Sequence, residues 1–325
     1  MIRMRTAVSL LWVLLASAAL SACATLPIKK VGREGSVKEI AAGPGAGFTI
    51  RQELTSVTEA VWKLEVKDEA ALERSRKTGL KVVALYEVME RTGDVARVQV
   101  TLEKVEILKD EKFIRAPFLQ FNPPNPLQFS VDFATEKVDF SSLESAYDDW
   151  VRGMQETAVW DVMGSSFNVS SYVAQLENLL SSPLTEFAGR TMVLGEEERE
   201  SRTFYLPFLG PTISVEPVTV EQTRGLHGVM DLGGREIAMI DGEQFSDKLS
   251  LGAEVLSGRM ELFGRIAPEY YESRGELAGK FRARVHIDSG WTVETTRRFR
   301  SVIIVNFENG TLREDISGKK SVYEM

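Results

Sequence analysis

The sequence predicts an α+β fold that is mainly antiparallel β-sheet, and three observations indicate it. Most of the chain beyond residue 48 alternates apolar and polar residues, with the period of two expected of half-buried strands. Short runs rich in Gly, Asn and Asp separate neighbouring alternating segments, as they do in hairpins. Between residues 141 and 192 the period changes to that of helices. We therefore expect a curved sheet, rolled as far as a half-barrel, with a helical insertion at about 141–192.

Composition is that of a globular protein with a sizeable core. The chain has 325 residues, of which 43% are hydrophobic and 26% charged. Its 39 basic and 47 acidic residues give a net charge of −8, so we expect no nucleic-acid partner, because phosphate neutralisation needs a surplus of Lys and Arg. One Cys and two His are too few for most thiol or metal chemistry, and we expect no cofactor and no metal.

The N-terminus has the parts of an export signal. Two arginines precede an uncharged run over residues 7–20, which is shorter than the roughly 20 residues of a spanning helix. Leu20-Ser21-Ala22-Cys23 ends the run, and it resembles the lipobox of bacterial lipoproteins at all four positions. The resemblance implies that Cys23 receives diacylglycerol and that cleavage follows Ala22. An ordinary secretory signal with an incidental Cys is the alternative, but a lone Cys in an exported protein has no intramolecular partner.

The mature chain is expected to be an acidic domain on a lipid anchor. Removal of residues 1–22, which hold two arginines, changes the balance to 37 minus 47, or −10. Acyl chains that each contribute about 0.8 kcal/mol per buried methylene anchor it to a membrane. Ala24 stands where related lipoproteins kept at the inner membrane usually have Asp, so the resemblance implies the outer membrane, facing the periplasm. Residues 23–47 are polar and Gly-rich and predict a flexible tether; residues 48–325 are the predicted folded domain.

The first block of strands covers residues 48–140. Arg91-Thr92-Gly93-Asp94 predicts a tight hairpin turn, and residues 135–137 predict another. Residues 70–77 are predicted as a short charged helix, and the prolines of 121–126 exclude a central strand there. The predicted strands are 48–54, 61–66, 81–89, 95–100, 102–108, 128–133 and 138–140.

The helical insertion begins at a capping box, in which Ser141 is followed by Glu144. A second helix is predicted over residues 170–180, ended by Ser182-Pro183, and a third, short one over 185–190. Four large apolar residues form the surface expected to pack on the sheet and to wall any apolar ligand site: Leu143, Trp150, Met154 and Trp160. Packing within a filled core is the alternative for the same residues.

The second block of strands follows residue 202 and has clearer turns. Asp231-Leu232-Gly233-Gly234, Asp288-Ser289-Gly290 and Asn309-Gly310 each separate two alternating segments. The predicted strands are 226–230, 236–240, 254–263, 279–287, 291–300, 302–307 and 321–323.

Catalytic motifs are lacking, so we expect a protein that is not an enzyme. His227 and His286 have no further His or Cys at ligand spacing, which favours ordinary strand histidines over a metal site. Asp148-Asp149 could suggest a glycosidase pair, but a solvated helix face explains them better. Arg297-Arg298 with Arg300 predicts a solvated strand or a contact for an acidic partner.

The overall plan of the chain resembles that of uncharacterised envelope lipoproteins. It consists of long antiparallel strands, an internal helical segment and a late hairpin from Arg282 to Thr296. More distantly, residues 80–310 resemble the lipoprotein carrier and acceptor family, whose curved, incompletely closed sheet holds acyl chains, although these helices come later in the chain. Three hypotheses follow. The first is a binding or interaction role of unknown specificity, with an envelope protein as partner. The second is a carrier of lipid or another apolar ligand, and the third and least supported is a periplasmic hydrolase.

Replacement of the candidate lipidation site should abolish anchoring. We expect Cys23→Ser to leave an uncleaved precursor or to release the domain into soluble fractions, because the Ser hydroxyl is not a substrate for thioether formation. Membrane fractionation and intact-mass measurement check this. Normal processing and membrane retention of the Ser variant would contradict the lipobox interpretation.

Overall fold

The computed structural model describes residues 34–115, 126–135, 137–140, 179–181, 183–204 and 218–325. The described helix α1 is Ala253–Glu261, and residues 179–181 and 183–185 are also helical. The strands are β1 (Val37–Glu39), β2 (Thr49–Val66), β3 (Leu72–Thr92), β4 (Val95–Lys109), β5 (Lys112–Arg115), β6 (Leu127–Asp132), β7 (Lys137–Asp139), β8 (Thr191–Val193), β9 (Glu197–Phe204), β10 (Val218–Leu232), β11 (Arg235–Leu249), β12 (Tyr271–His286), β13 (Thr292–Phe307) and β14 (Gly310–Glu324).

One twelve-stranded antiparallel sheet dominates the molecule. Its order is β7-β6-β4-β3-β2-β14-β13-β12-β11-β10-β9, with β5 paired to β4, while β1 and β8 form a small sheet of their own. Among the described residues, the outer strands β7 and β9 are not paired with each other, so the sheet is open. The predicted mainly antiparallel α+β fold is confirmed, and so are the predicted turns at residues 91–94, 231–234, 288–290 and 309–310.

Alternation along each strand gives the sheet one apolar face, called here the inner face. In β2, Ile50, Leu54 and Leu64 are buried, whereas Arg51 and Lys63 point to solvent on the outer face. The inner face of β2 is interrupted at its centre by small polar residues, Ser56 and Thr58. Two apolar clusters therefore form at the two ends of the long strands, with a polar band between them.

The cluster at one end is closed by Trp291, which has no exposed surface. This residue ends the β12–β13 turn, and its ring lies 5.1 Å from that of Tyr86 on β3 and 5.4 Å from that of Phe48. The Tyr86 hydroxyl donates to the carbonyl oxygen of Leu180 at 3.3 Å, which ties the helical residues to the same cluster. Burial raises the pKa of Tyr86 far above its ordinary range, so the hydroxyl stays neutral.

Helix α1 covers the cluster at the other end, where a buried ion pair holds it on the sheet. Glu314, on the inner face of β14, is 1% exposed and accepts hydrogen bonds from Arg259 of α1 at 2.7 Å and from the Trp62 indole of β2 at 2.9 Å. The Arg259 guanidinium also stacks over the Trp62 ring, 5.1 Å from its centroid. Leu256 and Met260 add the apolar contacts, since both face the cluster one helical turn apart.

The predicted tether is wrong for residues 34–47, which we call the strap. Strand β1 pairs with β8, Ile40 is 3% exposed, and Lys38 forms an ion pair with Glu236 at 3.0 Å. The strap is rich in small residues because it packs closely on the domain: a Cβ on Gly43 would meet the ring of Phe133. The folded domain therefore begins at least fourteen residues earlier than the predicted boundary at 48, since 48 − 34 is 14.

Two predicted elements have the wrong secondary structure. Residues 72–77 belong to strand β3 rather than to a charged helix, because their charges pair across strands: Glu73 lies opposite Lys63, and Lys77 opposite Glu59. Residues 254–261 form most of α1 rather than a strand, because the buried residues recur at helical spacing.

Several boundaries also differ. The predicted strands at 48–54 and 61–66 are one strand, β2, and those at 95–100 and 102–108 are one strand, β4. The helical insertion does not reach residue 192, because β8 begins at Thr191, and residues 183–185 are helical although they start at Pro183. In the described part of the chain, no helix has the length and apolar character needed to cross a membrane.

Loss of the buried Glu314 carboxylate should lower the free energy of unfolding more than loss of the neighbouring Asp315 carboxylate. We expect Glu314→Ala to lower the free energy of unfolding by about 3–5 kcal/mol, because it leaves Arg259 buried without its partner. Asp315→Ala, which removes a partly exposed carboxylate on the outer face, should cost at most about 1 kcal/mol. Urea denaturation measures both, and equal effects would contradict the assignment of Glu314 as the group that holds α1.

Candidate functional site

A cleft of about 350 Å³ lies between the two edges of the sheet. Phe133 and Ala134, which follow β6, line one side, and Glu198 of β9 lines the other. Ala42 of the strap and Ala188 lie between them. Residues beside opposite edges of the sheet thus share one cleft, which requires the sheet to curve until its edges face each other. This volume is at the lower end of the range of small-molecule sites.

Arg91 of β3 fixes the strap wall of the cleft. Its guanidinium donates to three consecutive strap carbonyls, those of Ala42, Gly43 and Pro44, at 3.1, 2.5 and 3.0 Å. The same guanidinium stacks over Phe133, 5.4 Å from the ring centroid. One side chain therefore positions both the strap and the Phe133 ring that packs against it.

The polar wall of the cleft is formed by Arg190, with Thr191 beside it. The side chain of Arg190 is 15% exposed; it donates to the carbonyl oxygen of Glu186 at 3.2 Å and pairs with Glu200 of β9 at 3.4 Å. Glu200 also pairs with Arg224, which is 1% exposed on the inner face of β10. The cleft is thus backed by a partly buried network in which two arginines share one carboxylate.

A second charged group lies behind the same segment. The carboxylate of Glu186 pairs with Arg297 on the inner face of β13, and the Arg297 guanidinium stacks over Phe281, 5.3 Å from the centroid. Lys320 of β14 lies directly opposite Arg297 in the strand register. Burial, and then the charge of Arg297, lower the pKa of Lys320 to about 7, against the opposing effect of Glu186.

The arrangement suits binding of an amphipathic molecule. Alanine and phenylalanine side chains form one wall, and a guanidinium held by two protein acceptors forms the other, so the cleft presents an apolar surface opposite a fixed cation. A guanidinium donates to carboxylates and phosphates with good geometry. Within the described residues there is no group of three or more His, Cys, Asp or Glu side chains that could hold a metal ion.

The four residues predicted to wall a ligand site, Leu143, Trp150, Met154 and Trp160, lie outside the described residues, as does Cys23. His227 contacts Asp241 on the outer face, and His286 lies 3.5 Å from Glu324, so the structure places the two histidines apart from each other and from the cleft.

The buried charged residues behind the cleft were missed, although the sequence carries a signal for two of them. Arg224 is in phase with the apolar residues Val220 and Leu226, and Lys320 with Val322. A charged residue at an inward position of an alternating strand indicates a buried polar contact.

No protein family matches the chain, and no curated protein matches it. Among solved structures, the chain is similar to lipovitellin, with 8% identity over 84% of this chain and 25% of that one, and a TM-score of 0.31. It is also similar to the outer membrane protein OprG from Pseudomonas aeruginosa, with 7% identity over 88% and 99% of the two chains and a TM-score of 0.22. The third is a DUF1329 family protein from Desulfovibrio piger ATCC 29098, with 9% identity over 81% and 83% and a TM-score of 0.12.

The chain spans a quarter of the length of the lipovitellin chain that it matches. Identities and TM-scores this low establish no shared function, and the role of the cleft has to be inferred from the residues of this chain.

Titration of Lys320, which is half-buried and faces inward, should make the stability of the protein depend on pH. The unfolded chain keeps Lys320 protonated up to its ordinary pKa, whereas the folded chain releases the proton near pH 7, so the stability of the wild type should rise between about pH 7 and pH 10. We expect Lys320→Met to remove at least about 1 kcal/mol of this rise. Lys319→Met, on the outer face, should keep it. Urea denaturation across this pH range is the measurement, and identical profiles for the two variants would contradict the prediction.

Proposed function

We propose that the protein is a lipid-anchored envelope lipoprotein that binds a small amphipathic anion in the cleft between its sheet edges. The observation that carries the proposal is that an apolar wall faces the guanidinium of Arg190 across the cleft. The alkyl part of the ligand would contact Ala42, Phe133 and Ala188, and its carboxylate or phosphate would accept hydrogen bonds from Arg190.

The contacts of Arg190 favour binding of an anion over a purely structural role. The backbone carbonyl of Glu186 and the carboxylate of Glu200 hold the guanidinium at the cleft surface, so little side-chain entropy would be lost when a ligand binds. Arg224 shares Glu200, which spreads the charge of that carboxylate over two guanidinium groups. These three side chains together carry one net positive charge, and the carboxylate of Glu198 lines the cleft beside Arg190.

The anchor and the location rest on the lipobox. Cys23 would carry the lipid, Ala24 favours the outer membrane, and the domain would face the periplasm. In that position the protein could take up amphipathic molecules from the periplasm and hold their apolar part away from water. This proposal is the hypothesis of a carrier of lipid or another apolar ligand, with the cleft as its binding site.

Obstruction of the cleft from its rim should abolish ligand binding. We expect the full-length protein to bind decanoate, and Ala134→Trp to weaken binding at least about tenfold, because the indole would fill the space beside Phe133. Ala134 is exposed, so the substitution should not disturb the core. Thr135→Trp is the matched control, since Thr135 is the next exposed residue and does not line the cleft. Isothermal titration calorimetry measures all three proteins.

Decanol, which has the same alkyl chain without the charge, tests the role of Arg190 in the same assay. We expect Arg190→Gln to weaken decanoate binding and to leave decanol binding unchanged. Decanoate binding that survives Ala134→Trp would contradict the location of the site, and wild-type protein that binds neither compound would contradict the proposed function.

A further inference from the structure

Three cations stand in one row across the outer face of the central strands. Lys280 of β12 lies directly opposite Arg298 of β13, and Arg298 lies directly opposite Lys319 of β14. All three side chains point away from the inner face and are exposed. We call these residues the cationic row; with neighbouring strands about 4.8 Å apart, it spans about 10 Å.

Two further cations flank the row. Arg282 is two residues along β12 from Lys280, and Arg300 is two residues along β13 from Arg298, so both lie on the same face. We call the row and its two flanking arginines the patch. Three acidic groups contact these five cations or lie opposite them in register: Glu243, 2.6 Å from Lys280; Asp315, 3.1 Å from Arg300; and Asp241, opposite Arg282.

Arg298, at the centre of the cationic row, and Lys319, at its end on β14, form no ion pair with any residue in the described ranges. Like charges directly opposite each other on neighbouring strands are destabilising. A chain with a net charge of −8 has enough acidic residues to avoid such a row. The repulsion indicates that this face meets an anionic surface that offsets it.

We infer that the cationic row binds the anionic headgroups of the membrane to which the protein is anchored. The residues beside the row on the same strands are small: Ala278, Thr296, Ser317 and Ser321. Exposed aromatic side chains lie only at the margin of these residues, with Phe245 opposite Ala278 and Tyr323 two residues beyond Ser321. The row itself therefore lacks the central aromatic anchors of a protein interface, which disfavours an acidic protein as the partner. Flexible basic side chains on one sheet face suit several separate headgroups, each Lys or Arg contributing about 1 kcal/mol near an anionic membrane.

The length of chain before the strap allows this orientation. Ten residues lie between Cys23 and Glu34, and the eleven Cα–Cα steps can span at most about 40 Å. Glu34 lies beside Gly195, next to β9, and five strand spacings of about 4.8 Å, or about 24 Å, separate β9 from β14. The inference rests on the proposed lipid anchor for the proximity of the membrane, and it adds the face of the domain that meets it.

The orientation would also decide how a ligand reaches the cleft. The cationic row lies on β12, β13 and β14 at the centre of the strand order, whereas the cleft lies between the sheet edges. With the row on the headgroups, the cleft would open away from the anchoring membrane.

Lysine labelling of the full-length lipidated protein tests this inference. The protein is added to vesicles of phosphatidylcholine alone, or with about one third phosphatidylglycerol, and is acetylated briefly. We expect acetylation of Lys280 and Lys319 to fall at least about threefold in the anionic vesicles relative to the neutral ones. Lys112 of β5, which is exposed and outside the patch, is the internal control and should react equally in both.

A double variant separates the charge of the row from any effect on folding. Arg298→Gln with Lys319→Gln should abolish the protection of Lys280 while leaving the fold unchanged or more stable, because it removes the repulsion. Arg313→Gln is the control, since Arg313 is an outer-face cation of β14 that pairs with Asp315. It should leave the protection intact.

The vesicles also distinguish failure of this inference from failure of the anchor. Flotation with both vesicle types but no charge-dependent protection would overturn the headgroup contact and keep the anchor. Flotation with anionic vesicles alone would support the contact and refute the anchor, and flotation with neither would overturn both. Protection of Lys280 by added polyglutamate but not by phosphatidylglycerol would replace the membrane with an acidic protein as the partner.

Discussion

The inner face of the long-stranded sheet has to be covered, and the rest of the structure follows from that requirement. Strand β3 has 21 residues, about 70 Å when extended. No single described helix matches that length, and α1 has nine residues. The cover is therefore made in pieces: α1 at one end, and at the other the strap, the segment around Leu180 and Trp291. Helix α1 shields one apolar cluster from water, and the other pieces together shield the cluster at the opposite end.

Two kinds of buried charge result from this piecewise cover. Glu314 is enclosed beneath α1, where Arg259 and Trp62 supply its hydrogen bonds, and its role is to orient the helix on the sheet. The group around Glu200 lies at the β9 edge of the sheet, the group around Glu186 lies over the central strands β13 and β14, and Arg190 contacts both glutamates at the surface of the cleft. A buried ion pair contributes little net stability over an apolar core, and for the charges of the second kind we propose ligand binding as the role.

The two proposed surfaces have different roles, since the cleft would bind the ligand and the cationic row would bind membrane headgroups. The edges of the sheet supply a cleft with one apolar and one cationic wall, and the central strands supply the cationic row on the opposite face of the sheet. Both surfaces attract anions, although the whole chain is acidic. A local surplus of positive charge on an acidic protein restricts attraction to those surfaces and keeps the remainder from adhering to a membrane of the same sign.

Local interactions let the sequence by itself determine the strand type and most turns. Alternation and the glycines of turns act over a few residues, so Gly93 and Gly233 marked hairpins correctly. Only the tertiary structure decided whether residues 254–263 are helix or strand, because their pattern fits both periods until Glu314 offers Arg259 a partner. It also decided the cleft, whose walls come from residues far apart in the chain, such as Ala42, Phe133 and Arg190. Contacts between distant segments depend on how the sheet curves, and no local pattern records that curvature.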